Sequence, residues 1–213
     1  ARLTEMAYLT EAARAVTAGM IDSGLRPLAI SSLMKYQTTE YARRAINEAM
    51  DIHGGRAICD GPSNYLQSAY QMAPIGITVE GANIVTRSLI TFGQGILRAH
   101  PFLYREMESC SDLDQKRGLA TFESVFPAHI AFFVSNLCRS FAHSITGGMF
   151  GHVPKSVPNE VAQWYHELWR YSCNFALFAD TAALILGGRL KKKQRLGGRL
   201  ADALSELYFL SCV

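Results

Sequence analysis

Residues 119–145 read LATFESVFPAHIAFFVSNLCRSFAHSI, and their spacing decides the fold class. Phe122, Phe126, Ile130, Phe133, Leu137 and Phe141 recur every three or four residues, the period of one face of a helix. Pro127 falls inside the run and marks either its true start or a kink. Gly147-Gly148 closes it.

The same period extends in both directions. Leu3, Met6, Leu9, Ala13, Val16 and Met20 predict a helix over 2–21, stopped by Asp22-Ser23-Gly24 and Pro27. Ile30, Leu33, Met34, Tyr41, Ala45, Ile46 and Ala49 predict a second over 29–52, ended by Gly54-Gly55. A short helix is expected over 65–71, closed by Pro74. Residues 75–79 are β-branched, but a lone strand has no partner, so they read as extended loop. Asn83 is placed to cap a helix over 84–98. Two more are expected, over 159–186 and from about Gly198. With seven or so helices and no credible sheet, the fold is all-α, an antiparallel helical bundle followed by an additional helical region. Polar residues cluster between Glu106 and Lys116, which divides the chain into 1–105 and 106–213.

The bulk composition narrows the function. The 213 residues are 49% hydrophobic and 18% charged with a net charge of +3. That is ample for a core, and gives no bulk electrostatic case for nucleic acid. No uninterrupted run of 18 apolar residues occurs, so no membrane-spanning helix is predicted. The N-terminus lacks the basic and apolar regions of a signal peptide. Five dispersed cysteines without a C-x-x-C pair suggest reduced thiols, and the six histidines lack ligand spacing, so no metal site is expected.

Three short features each have a plain reading beside a functional one. Gly93-Gln94-Gly95-Ile96-Leu97-Arg98 lacks the third glycine and preceding strand of a dinucleotide fingerprint; close helix packing is the better account. The cluster Lys191, Lys192, Lys193 and Arg195 is either a solvated interhelical loop or a contact for anionic lipid or a polyanionic ligand. Leu-Gly-Gly-Arg-Leu occurs at 186–190 and again at 196–200, a local echo at two helix ends. The most informative residue is Glu80, in Gly76-Ile77-Thr78-Val79-Glu80-Gly81-Ala82-Asn83. No other charge lies between Asp60 and Arg87. Such a carboxylate is either a solvated turn residue, as most are, or a base held in an apolar pocket.

The ordered set Asp22-Ser23-Gly24, Ile52-His53-Gly54-Gly55-Arg56, Tyr70-Gln71 and Val79-Glu80-Gly81 resembles the C-terminal helical domain of acyl-CoA dehydrogenases. Gly76–Ile84 and Phe92-Gly93-Gln94-Gly95 resemble the long bacterial form, whose extra helical region 106–213 resembles. The resemblance implies that Glu80 removes the α-proton of a fatty acyl-CoA while FAD takes the β-hydride. It implies that Glu80 and Gly81 contact the substrate, the Glu80 N–H facing the thioester carbonyl. It also implies that Gly54 and Gly55 approach FAD from a neighbouring subunit.

Further implications are a homo-oligomer, electron-transfer flavoprotein as acceptor, and a place in the bacterial cytoplasm, at the inner membrane if the basic cluster meets lipid. Ala82 and Ile84 stand where many members carry flavin-facing threonine and glutamine, and Asp51 replaces a glutamine, so none of these three is assigned a contact. The family builds its site with two further domains, so the chain is expected to be part of a longer protein, inactive alone. An acyl-CoA oxidase with the same base and a non-catalytic helical adaptor are the alternatives.

Overall fold

A computed structural model describes residues 1–213 as helices and connecting turns, without a strand. Helix α1 (Arg2–Asp22) leads into α2 (Leu28–His53), a 3-10 turn (Gly54–Ala57) and α3 (Leu66–Thr78). A continuous helical rod follows: α4 (Asn83–Val85), a π-helical segment (Thr86–Gln94) and α5 (Gly95–Ala99). Then come α6 (Leu103–Cys110), α7 (Gln115–Thr146), α8 (Asn159–Leu186), a second 3-10 turn (Gly187–Lys191) and α9 (Gln194–Cys212).

Helix α2 is the scaffold of the first half, packing against α1, α3 and the π segment. Helices α6, α7 and α8 form a second group, α7 lying between the other two. The chain then turns back. Helix α9 packs against α1, α2, the π segment and α8, and so joins the two groups. One core cluster unites Ala13, Leu33, Tyr36 and Tyr41 with Tyr208 and Phe209 from α9. The other unites Phe92, Ala179, Leu190 and Ala201, one from each of four elements.

The two copies of Leu-Gly-Gly-Arg-Leu have different physical reasons. In the first, Gly187 ends α8 with φ 47°, a left-handed turn that favours glycine. The second falls in the first two turns of α9, which starts at Gln194. A Cβ on Gly197 would stand 2.9 Å from the Ser88 carbonyl oxygen, so the glycine lets α9 close on the π segment. Gly95 serves the same end against α2, where its Cβ would meet the Ala29 methyl at 3.3 Å.

Several expectations are corrected. Residues 75–78 are helical, because α3 runs through Pro74. The helix survives its missing N–H because the turn beyond it is pressed on α2, with Gly76 beside Thr39, and because Val79 N–H still donates to the Ile75 carbonyl at 2.9 Å. Pro127 neither starts nor ends α7. The helix begins at Gln115, where the Asp114 carboxylate accepts from the N–H groups of Lys116 and Arg117. Asn83 caps nothing; Ala82 holds the cap position, and the Asn83 side chain is turned inward.

The expectation of no membrane-spanning helix also changes. Gln115–Thr146 and Asn159–Lys191 are each long and apolar enough to cross a bilayer by length and composition. Serine, asparagine, histidine and threonine, with an occasional charge such as Asp180, interrupt these runs, so no unbroken apolar stretch marks them.

Paired substitutions test the packing role of Gly197. Gly19→Ala, in α1 with nothing within 4 Å of the new methyl, gains helix propensity and is expected to stabilise by about 0.5–1 kcal/mol. Gly197→Ala gains the same propensity but forces α9 off Ser88, and is expected to destabilise by about 1–2 kcal/mol net. Denaturant midpoints distinguish the signs; equal stabilisation in both would remove the close approach as the reason for Gly197.

Candidate active site around Glu80

Glu80 follows the last residues of α3 and is the only non-glycine residue with positive φ, at 55°. Gly81 continues the turn with φ 92°. Left-handed backbone costs a residue bearing Cβ about 1–2 kcal/mol, so something must hold the turn. Two contacts do. Lys35 Nζ donates to the Gly81 carbonyl at 2.7 Å and to Asn83 Oδ1 at 2.8 Å. Thr86 Oγ1 donates to the same Gly81 carbonyl at 3.2 Å. Asn83 is itself fixed, its Nδ2 donating to Thr39 Oγ1 at 2.9 Å and Glu40 Oε1 at 3.0 Å. The turn is thereby tied to the middle of α2.

The side chain of Glu80 is exposed, and neither its carboxylate nor its backbone N–H has a hydrogen-bond partner in the chain. These 213 residues therefore do not wall Glu80 into an apolar pocket; α3 ends at Thr78, before it. A cleft does open beside it. This cavity, about 720 Å³, is bordered by Ile77, Thr78, Ala82, Asn83 and Ile84 on the Glu80 side and by α2 and α9 opposite. Its floor is polar. Arg87 donates from Nε to Asp202 Oδ1 at 2.6 Å. Tyr36, hydrogen-bonded to Ser205, has its hydroxyl pKa pushed up to about 12, chiefly by burial.

Gly81 lies in the Glu80 turn, and its Cβ would meet Thr86 Oγ1 at 3.1 Å. Gly54 and Gly55 lie elsewhere. They follow the C-terminus of α2, about 28 Å along the helix from Lys35 at 1.5 Å per residue. Both are exposed. Gly54 has φ 56°, and neither glycine has a heavy atom within 4 Å of where a Cβ would stand. Nearby, His53 Nδ1 faces the Ala49 carbonyl and the Tyr65 hydroxyl meets His53 Nε2 at 2.8 Å.

One polar cluster has no signal in the sequence. His100, His129 and Asp180 are 29 and 51 residues apart, yet their ligand atoms lie within 4.8 Å of one another. His100 Nε2 is 2.8 Å from Asp180 Oδ1 and His129 Nε2 is 3.3 Å from the same oxygen. On its other side His129 Nδ1 meets Glu106 Oε1 at 2.7 Å. The set has metal-like proportions, but the tautomer of His100 opposes ligation. Its Nδ1 accepts from the N–H groups of Phe102 and Leu103 at 3.2 and 3.1 Å, so the proton of the neutral ring sits on Nε2, which has no hydrogen-bond partner despite its nearness to Asp180. The cluster is a buried polar pin that fastens the start of α6 to α7 and α8.

Burial alone would raise the Asp180 carboxyl, but the nearness of His100 and His129 outweighs it and holds the group below its ordinary range. A carboxylate depressed in the folded state stabilises above its unfolded pKa, and that contribution fades as pH falls through the folded value.

The residues described above belong to a known sequence family. The family described as "Acyl-CoA dehydrogenase, C-terminal domain" matches residues 1–93. That described as "Acyl-CoA dehydrogenase, C-terminal, bacterial type" matches residues 97–213. The chain belongs to the acyl-CoA dehydrogenase family. No solved structure matches it.

Asp180→Asn is expected to lower stability by about 3 kcal/mol at pH 7, as loss of a buried charge partner does. The difference from the parent should shrink below about pH 4. Urea titrations across pH 3–8 check this, and a pH-independent difference would assign the loss to packing instead.

Proposed function

We propose that this chain provides the base, and part of the cofactor contact, of an FAD-dependent acyl-CoA dehydrogenase that converts fatty acyl-CoA to trans-2-enoyl-CoA. The observation that carries this reading is the backbone of Glu80. A residue kept in left-handed backbone where glycine would be unstrained, and clamped there by Lys35, points to a role for its side chain. It lies at the edge of a cleft, within the residues that the family match covers.

The groups free at Glu80 suit the reaction. The carboxylate has no partner to lose when it takes the α-proton of the thioester. The unpaired backbone N–H is a donor available to the thioester carbonyl, where negative charge develops as that proton leaves. FAD, when bound, accepts the β-hydride. The desolvation that raises a carboxylate toward a working base falls to the bound acyl chain and to protein surface beyond this chain, since the local walls leave Glu80 open.

Gly54 and Gly55 would hold the cofactor through bare backbone, and the open space around both positions fits such an approach. Their distance from Glu80 along α2 supports an arrangement in which the glycines of one copy and the Glu80 of another serve the same flavin. Electrons would then pass to electron-transfer flavoprotein.

In the full-length protein, Glu80→Gln is expected to lower acyl-CoA dehydrogenation by roughly 10²–10⁴-fold while bound flavin, read by its visible absorbance, stays stoichiometric. Glu80→Gly should be equally inactive yet as stable as the parent or up to about 1 kcal/mol more stable, through relief of backbone strain. Turnover within a few fold of the parent in either variant would remove Glu80 as the base. Lys35→Met, which releases the turn without touching the carboxylate, should lower kcat with flavin content unchanged; an unaltered kcat would show that the clamp is dispensable.

A further inference from the structure

The outer face of the α7–α8 hairpin carries an apolar surface that the fold leaves uncovered. The two helices run antiparallel and meet at His129 and Asp180 and at Ser140 and Asn174. Five residues beyond a contact position is about 140° around a helix. On α7, Val134, Phe141 and Ile145 stand five residues beyond His129, Asn136 and Ser140, and all three are exposed. On α8, Tyr171, Phe178 and Ile185 stand five beyond His166, Cys173 and Asp180, and they too are exposed. The offset has the same sense on both helices and the helices run in opposite directions, so both rows face the same side of the hairpin.

Charge is arranged to match. From Ser124 to Cys138, 15 residues or about 22 Å of helix, α7 has no Asp, Glu, Lys or Arg. Between Arg170 and Arg189, α8 has only Asp180, which is turned inward to the histidines. Beyond the end of α8 the pattern reverses. From Thr181 to Ala201 there is no carboxylate, and Arg189, Lys191, Lys192, Lys193, Arg195 and Arg199 are all exposed. None of the six pairs with a carboxylate.

We propose that this face docks on an anionic phospholipid bilayer, the apolar rows entering the interface and the basic segment meeting the headgroups. A bilayer offers both complements on one surface: hydrocarbon for a charge-free row and phosphate for a run of cations with no acidic counterpart. Trp164, 63% exposed and one heptad before Tyr171, continues the α8 row with a side chain suited to that interface. Most of the apolar helix surface is available: of the most apolar 18-residue windows of the two helices, 11% and 22% is buried. The docking does not depend on the dehydrogenase reading, and its test requires no turnover.

Flotation of the full-length protein with vesicles tests the proposal. Vesicles of phosphatidylethanolamine and phosphatidylglycerol at 3:1 are compared with vesicles of phosphatidylcholine alone. At least tenfold more protein should float with the anionic vesicles, and the excess should fall in 0.5 M NaCl. The double variant F141D/F178D and the triple variant K191E/K192E/K193E should each reduce flotation at least tenfold, with melting temperature and solution mass unchanged. Failure of the unsubstituted protein to float overturns the proposal without any variant, as does flotation that both variants leave intact. A change in solution mass by light scattering in F141D/F178D, with flotation unaltered, would assign the face to contact between copies and overturn it equally.

Discussion

The close approach of α9 to the π-helical segment is the constraint on which the rest of the architecture depends. Two glycines remove the side chains that would hold the backbones apart, and Ser88 and Arg87 fill the space. Once α9 is seated there, Tyr208 and Phe209 complete the core with α1 and α2, and Ala201 completes the one shared with α8. Asp202 reaches Arg87 and Ser205 reaches Tyr36, which lays the floor of the cleft beside Glu80. A helix near the C-terminus thus shapes a site whose candidate base lies more than a hundred residues earlier.

The two halves use buried polarity for different ends. In the first, Lys35, Asn83 and Thr86 spend their hydrogen bonds on a single turn and hold one strained residue toward solvent. In the second, His100, His129, Glu106 and Asp180 join the start of α6 to α7 and α8. Buried polar groups of either kind are costly unless paired, and each set is nearly closed on itself. What differs is the group left free: at Glu80 it is an exposed carboxylate, whereas at the histidine cluster it is His100 Nε2 and one oxygen of Asp180, both sealed from solvent.

The legibility of the sequence followed the range of the forces involved. The helical period of α1, α2 and α7 was readable because apolar residues every three or four positions leave a regular trace whether or not they are buried; on α7, Phe126, Ile130, Leu137 and Phe141 of that trace are exposed. Pro74 misled the reading of 75–79, because a proline's local cost was weighed without the packing of Gly76 on α2 that offsets it. Asn83 misled in the same way; its cap propensity is local, whereas its real partners come from α2. Glu80 was visible as an isolated charge beside glycine. Its left-handed φ and its clamp were not, since Lys35 is distant in sequence. The cluster at His100 left no motif, because side chains that meet from separate elements need no fixed spacing in sequence.

By itself, then, the sequence determined that the chain is helical, where most helices stop, and which carboxylate stands apart, since these follow from periodicity, glycine and proline, and the scarcity of charge. Only the tertiary structure decided that α9 returns to the first bundle, that Glu80 is held in strained backbone at an open cleft, and that two long apolar helices keep a common face uncovered. Those outcomes depend on how surfaces far apart in the chain compete for one another, and a contact of that kind is fixed by shape and partner rather than by any local pattern of residues.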